Sequence, residues 1–168
     1  MVSLCYDCFE SPLGSLWVAA TSKGLCRVSF ASSEEEFLTS LKETVQGAPK
    51  KDGKPFKELF KRFEEYFKGK STSFSDLPLD LKGTDFQKAV WRATAGIPYS
   101  TVSTYGEVAA KTGHPTAYRA AGSALRKNRL LIVVPCHRVV RSDGSLGGPS
   151  EGAEGRRRLL RLEGVKDY

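Results

Sequence analysis

The residues best suited to chemistry lie in one stretch, Leu130-Leu-Ile-Val-Val-Pro-Cys-His-Arg-Val-Val-Arg141. An apolar run ends at Pro135, and Cys136 and His137 follow before more apolar residues. A cysteine attacks as thiolate, and a neighbouring base or positive charge commonly activates it. Cys136 can supply the nucleophile and His137, one of only two histidines in the chain, the base. Adjacent side chains on an extended backbone point apart, so a water bridge between them is expected, with a carboxylate orienting the imidazole from its other side. The candidate carboxylates are Asp143, Glu107 and Glu163.

Charge points to the partner. Residues 1–80 carry 11 Lys+Arg against 12 Asp+Glu, whereas residues 81–168 carry 15 against 7. The basic excess therefore lies entirely in the C-terminal half, as expected of a nucleic-acid-binding module.

The elements that must position these groups fall into two parts, divided near residue 81. Residues 1–80 read as a small α/β domain. Leu4–Phe9, Ser15–Ala20 and Leu25–Phe30 are strands, joined by the turns Ser11–Gly14 and Thr21–Gly24 into an antiparallel meander. Ser33-Glu-Glu-Glu36 fits a capping box opening a helix that carries Phe37, Leu38, Leu41 and Val45. A Gly/Pro/Lys-rich loop spans 47–54. A second helix, Phe56–Phe67, sets Phe56, Leu59, Phe60, Phe63 and Phe67 on one face as core. Residues 69–83 form the connection, with a short strand-like Leu-Pro-Leu-Asp-Leu.

Residues 81–168 read as mostly helical, giving an α+β chain overall. Thr84 or Asp85 caps a helix through Trp91, and Gly96-Ile-Pro98 ends it. Ser103 or Thr104 caps a helix to Lys111, Thr112–His114 is a tight turn, and Pro115 starts a helix to Lys127. This is a helix-turn-helix pattern, in its winged form by the fold that the whole implies. The second helix is unusual. Thr116–Leu125 is built almost wholly of small residues, and only Tyr118, Arg119 and, just beyond, Arg126 reach far. Small side chains allow close approach to a backbone or to a narrow groove, which implies DNA binding with little sequence preference.

Cys5-Tyr-Asp-Cys8 has metal-like spacing but lacks a second ligand pair. It reads as free, buried thiols. A disulfide between Cys26 and Cys5 or Cys8 is the alternative. The longest apolar run stops at Pro135, so no membrane span is expected, and the N-terminus carries no secretory pattern. A cytoplasmic protein is expected, nuclear in a eukaryote.

Pro135-Cys-His-Arg-Val139 resembles the active-site signature of the O6-alkylguanine-DNA alkyltransferases, the suicide DNA-repair methyltransferases. The likeness covers the C-terminal half. It includes Gly83-Thr-Asp-Phe-Gln-Lys-Ala-Val-Trp91, Ile97-Pro-Tyr-Ser-Thr-Val-Ser-Thr-Tyr-Gly-Glu-Val-Ala109, Arg119-Ala-Ala-Gly, Asn128 and Leu159-Leu-Arg-Leu-Glu-Gly164. In the first half only the Ser-Pro-Leu-Gly turn and the layout match. The resemblance implies a ribonuclease-like N-terminal domain before a DNA-binding and catalytic one. It implies one-step transfer of a methyl or alkyl group from O6-alkylguanine in double-stranded DNA, with O4-alkylthymine as a second candidate substrate. Cys136 would be the acceptor, His137 the base acting through water, Glu163 its orienter and Tyr105 the donor to the leaving guanine. Arg119 would fill the gap left by a flipped nucleotide. Asn128 would brace the active-site turn, and the backbone of Val139 and Ser150 would contact the flipped base. Tyr118, Ala120 and Ser123 would line the DNA face. The thioether product implies a single turnover by a monomer, and with DNA as alkyl donor no cofactor or metal is called for.

The chain departs from the family in Gly144-Ser-Leu-Gly-Gly-Pro-Ser-Glu-Gly152. Pro149 stands where an aromatic residue is usual, and Glu151 where glycine or a large aromatic is usual. Methyl transfer is therefore expected ahead of transfer of larger groups. Three other readings are weaker. A lesion-binding protein without chemistry would lack Cys136. A transcriptional regulator would need base-reading side chains on its second helix. A cysteine hydrolase would need an oxyanion hole and would turn over repeatedly.

Overall fold

A computed structural model describes residues 3–150 and 152–168. Three antiparallel strands, β1 (Cys5–Ser11), β2 (Gly14–Thr21) and β3 (Gly24–Phe30), form the expected meander. The segment read as a loop over 47–54 contributes a fourth strand. Lys50–Lys51, β4, pairs parallel with β1 at the sheet edge, giving the order β3-β2-β1-β4. Two lysines carry no period-2 signal, and the strand exists because Lys50 and Asp52 donate to the Leu4 and Tyr6 carbonyls at 2.9 and 3.0 Å.

The sheet is covered on both faces. Leu16, Val18, Ala20, Leu25 and Val28 belong to the main core, whereas Trp17 and Ala19 face the other way with Tyr6, Phe37 and Leu41. That alternation follows the two-residue strand period. Helix α1 (Glu34–Lys42) covers the second face. Only half of the expected capping box forms. Ser33 Oγ accepts from the Glu36 N–H at 3.1 Å, but the Glu36 carboxylate turns to Ser32 instead. A single 3₁₀ turn, Lys54–Phe56, leads into α2 (Lys57–Phe67), so Phe56 precedes the α-helix. The α2 rings enclose Phe9 of β1, with centroids 5.5 Å away for Phe60 and 5.4 Å for Phe63.

Helix α3 (Asp85–Ala95) starts from a complete capping box, in which Thr84 and Gln87 satisfy each other's backbone N–H, and runs one turn beyond Trp91. β5 (Ser103–Thr104) leads directly into α4 (Tyr105–Lys111), with Thr104 as N-cap. Helix α5 (Tyr118–Arg126) begins later than the position of Pro115 suggests. The Ala117 N–H donates to the His114 carbonyl at 2.9 Å, so Pro115 and Thr116 are the central residues of a turn. Proline's fixed φ suits that turn position as well as it suits a first helical turn. A second 3₁₀ turn, Cys136–Arg138, precedes β6 (Val139–Val140), which pairs parallel with β5. Helix α6 (Ala153–Leu162) closes the chain, with Glu163 as its C-cap.

One apolar cluster joins the two parts of the chain, holding Val18, Phe63 and Tyr66 together with Val90, Val108, Val134 and Leu159. The unpaired edge of β3 is used twice. The strand-like Leu77–Leu81 segment bridges it at Leu25, and Val28 exchanges hydrogen bonds with Arg129 and Leu131 at 2.8 and 3.0 Å. Among the described residues no helix is long and apolar enough to cross a membrane. Cys5, Cys8, Cys26 and Cys136 are all free thiols, and the alternative disulfide is not formed. Cys26 is buried, but Cys5 and Cys8 are half-buried on β1, whose outer side is covered only at Cys5 and Tyr6 by the short edge strand β4.

Candidate active site

Pro135 closes the apolar run, and the 3₁₀ turn that follows replaces the extended chain expected there. The Arg138 N–H closes this turn by donating to the Pro135 carbonyl at 2.9 Å. Cys136 is half-buried and opens into a cavity of about 410 Å³, a volume suited to a small ligand. His137 reaches the same cavity but is itself buried, at 1% exposure. Tyr105, Asn128, Gly147, Pro149 and Arg156 line it as well, with Leu13 and Phe30 from the N-terminal part.

Behind His137 lies a buried cluster of polar groups. His137 Nε2 is 2.5 Å from Oε2 of Glu163, which is 3% exposed. Arg138 grips both carboxylate oxygens, Nε to Oε1 at 2.8 Å and Nη2 to Oε2 at 3.2 Å, and sends Nη1 to the Ile97 carbonyl at 2.7 Å. The Ser100 N–H donates to Oε1 at 3.1 Å and the Tyr66 hydroxyl to Oε2 at 2.6 Å. A buried carboxylate is costly unless its oxygens are satisfied, and here the satisfaction is dense. Burial would raise the Glu163 pKa, but His137 and Arg138 overcome it and hold the group down at about 2. Burial lowers the His137 pKa against the pull of Glu163, so the imidazole is neutral near pH 7. With its Nε2–H donated to Glu163, its Nδ1 carries the free lone pair.

These contacts choose among the three carboxylates. Glu107 is taken by the hydroxyls of Ser103 and Thr104 at 3.3 and 3.2 Å. Asp143 accepts from the Ser145 backbone and hydroxyl at 2.9 and 2.6 Å. Only Glu163 meets His137.

Burial raises the Cys136 pKa, while Asn128 and Arg156 work against that rise. The resting group is therefore a thiol that needs a base. Asn128 ties the end of α5 to the active-site turn. Its Nδ2 donates to the Val134 carbonyl and its Oδ1 accepts from the Leu130 N–H, both at 2.9 Å. Tyr105 is clasped by two glycines. A Cβ on Gly147 would lie 2.6 Å from its hydroxyl oxygen, and one on Gly122 would lie 3.6 Å from its ring. Burial raises the Tyr105 pKa, which keeps the phenol a donor.

Tyr118, Arg119, Ala120 and Ser123 line the exposed face of α5, whereas Ala121, Ala124 and Leu125 are buried. The Arg119 guanidinium lies 6.0 Å from the Tyr118 ring centroid. Val139 is buried in β6 beside Ser103, and Ser150 is exposed. Among the described residues neither lines the cavity. The loop wall at Gly147–Pro149 is held by Arg156, whose Nη2 donates to the Gly147 and Pro149 carbonyls at 3.0 and 2.8 Å. Glu151 lies outside the described residues.

Sequence reasoning passed over Tyr66, Arg138, Ser100 and Arg156. Tyr66 sat inside an aromatic stripe. The arginines sat in a basic half where no single one stands out. Ser100 acts through its backbone.

Comparison with known proteins gives a consistent picture. A family model described as the 6-O-methylguanine DNA methyltransferase DNA binding domain matches residues 85–165. A second, described as the ribonuclease-like domain of the same protein, matches residues 4–81. The chain is 41% identical over 158 residues to a methylated-DNA–protein-cysteine methyltransferase of Methanosarcina barkeri, covering 94% of this chain and 96% of that protein. It is also 41% identical to the constitutive enzyme of that name from Bacillus subtilis, over 85% of this chain and 84% of the relative. Among solved structures it is similar to Mycobacterium tuberculosis OGT in complex with DNA, with a TM-score of 0.79 and 36% identity over 95% of this chain and 92% of that one.

Proposed function

We propose a direct-reversal repair function from one premise: the chain belongs to the 6-O-methylguanine DNA methyltransferase family. It is a methylated-DNA–protein-cysteine methyltransferase whose substrate is alkylated DNA. The matched segments, 4–81 and 85–165, support a division of the chain near residue 81.

In this reading Cys136 is the acceptor. Its proton passes through a water to Nδ1 of His137, and the imidazolium is stabilised by Glu163 on the far side. The sulfur attacks the alkyl carbon on O6. The new S–C bond forms as the C–O bond breaks, and the electron pair leaves on guanine. Tyr105 donates to the base as that charge develops. Arg119 fills the stack behind the flipped nucleotide, offsetting an unstacking cost of a few kcal/mol. Tyr118, Ala120 and Ser123 form the rest of the face that meets the minor groove. Asn128 holds the active-site turn at a fixed distance from α5. Backbone contacts to the base from Val139 and Ser150 would need the base to reach beyond the lined cavity, because neither residue lines it. Among the described residues lining the cavity none could reverse the thioether step, so each molecule acts once. The observation that carries this reading is the buried His137–Glu163 pair directly behind Cys136, on one wall of the cavity that opens beside α5.

The test is intact mass with peptide mapping after mixing the protein with duplex DNA carrying one O6-methylguanine. One methyl on Cys136 in stoichiometric amount, with guanine restored, is expected. A bound but intact lesion with no added mass would instead favour a lesion-recognition protein.

A further inference from the structure

The carboxylate oxygen that faces His137 is shared. Oε2 of Glu163 accepts from His137 at 2.5 Å and from the Tyr66 hydroxyl at 2.6 Å, with Arg138 Nη2 a longer third donor at 3.2 Å. Tyr66 lies on α2, 97 residues before Glu163, and is fully buried. The core does not need that hydroxyl, since Phe63 and Phe67 pack on the same helix without one. A buried hydroxyl is retained at low cost only where it finds an acceptor, and here the acceptor is the charged group behind the base. The other groups facing this carboxylate are the Arg138 guanidinium and the Ser100 N–H. The Tyr99 ring lies 5.9 Å from that of Tyr66 and 5.8 Å from the Arg138 guanidinium. Cys136 faces His137 from the cavity side.

We propose that Tyr66 is a positioning residue of the transfer reaction, setting the proton affinity of His137 by donating to the carboxylate oxygen that His137 also engages. This rests on the assignment of Cys136 as acceptor and His137 as base. Each donor on Oε2 withdraws negative potential from the others. When the proton of Cys136 moves to His137, the imidazolium forms against Oε2. The more strongly Tyr66 donates, the less that oxygen stabilises the imidazolium. No proton leaves Tyr66, because burial and the adjacent Glu163 charge push its phenol far above its ordinary range. Removing the hydroxyl therefore makes His137 hold a proton more tightly, so the transfer rate reaches its plateau only at higher pH. A better phenol donor does the reverse.

The experiment is the pH dependence of the single-turnover transfer rate on an O6-methylguanine duplex, with three forms of the full-length chain. These are the unmodified protein, Tyr66→Phe, and protein carrying 3-fluorotyrosine at position 66 by site-specific incorporation. The acid midpoint should move up by about one pH unit in Tyr66→Phe. It should move down in the fluorinated protein, with the stoichiometry of methyl transfer unchanged in both. One midpoint common to all three, with only a lower melting temperature for Tyr66→Phe, would overturn the proposal and leave Tyr66 as core filling. Should Tyr66→Phe fail to fold, the nearly isosteric fluorinated protein decides alone, and an unmoved midpoint overturns the proposal. A failure of the unmodified protein to accept methyl would instead remove the reading beneath it, before any variant is compared.

Discussion

The two walls of the cavity are built on opposite terms. Behind Cys136, one carboxylate gathers hydrogen bonds from His137, Arg138, Ser100 and Tyr66, and the side chains involved are buried. Across the cavity, the described residues of the 144–152 loop are largely exposed, and Gly144, Gly148 and Gly152 take positive φ. Its central backbone is anchored by the single guanidinium of Arg156. The difference separates two tasks. Proton transfer requires fixed geometry, which the buried wall supplies from residues far apart in the chain. Admitting alkyl groups of different size requires a wall that can be reshaped by few substitutions, and the loop is such a wall.

Breaking the buried side should cost most. Cys136→Ser should abolish transfer while leaving duplex binding intact, measured by intact mass and by a binding titration. Surviving transfer would mean that the acceptor is another group. Glu163→Gln should slow single-turnover transfer by about a hundredfold, within the range of general-base contributions. It should also destabilise the fold by roughly 3–5 kcal/mol, because Arg138 stays buried without its anion. A near-normal urea midpoint in that variant would contradict the buried-pair account. The same groups fix the acid limit. The lowered His137 pKa means that the unfolded chain takes up a proton below about pH 6.5 while the folded one does not, so stability falls there. The Glu163 contribution is complete above its unfolded value near 4.5 and is lost as pH falls from there through about 2. Thermal melts across this range should show both declines, and in Glu163→Gln the lower one should be shallower, with Glu36, Glu65, Asp76 and Asp143, whose pKa values are also lowered, carrying what remains.

The open side should respond more gently. Arg119→Ala should slow repair of duplex DNA by roughly 30-fold, the equivalent of about 2 kcal/mol of lost support for the flipped state. Reaction with a free-base substrate analogue should hardly change, and equal slowing of both would remove Arg119 from the flipping step. Arg156→Ala should slow methyl transfer only a few-fold, the smallest effect. Its signature is a changed ratio of benzyl to methyl transfer, since the 147–149 backbone loses its anchor. An unchanged ratio would show that the loop holds its shape without the arginine.

The same division governs what could be read from the sequence. Cys136 and His137 were legible because a nucleophile and a base stand together at the end of an apolar run. Residue types alone left Glu107, Asp143 and Glu163 open. Only the resemblance preferred Glu163, and the hydrogen bonds around each of the three show why. Tyr66 was hidden because its ring obeys the same helical spacing as the phenylalanines beside it, and periodicity does not register a hydroxyl. Arg138 was hidden because burial, not residue type, makes it a structural cation. Among the elements, the three long strands and the helices with apolar stripes followed their periods. The misplaced start of α5 and the unseen β4 were decided by single backbone hydrogen bonds at Ala117, Lys50 and Asp52. Such bonds depend on the partner segment as much as on the local sequence.

The bridge between Val28 of β3 and the Arg129–Leu131 segment carries a further consequence. That segment leads directly to Cys136, so the sheet cannot fray at this edge without loosening the turn that presents the thiol. Together with the Tyr66–Glu163 contact, it makes the two parts of the chain a single cooperative unit for opening. The amides of Val28 and Leu131 should then exchange with solvent only as slowly as the whole molecule unfolds. A protease would meet either an intact molecule or a wholly open one, with no long-lived half-open form whose acceptor is exposed and unspent.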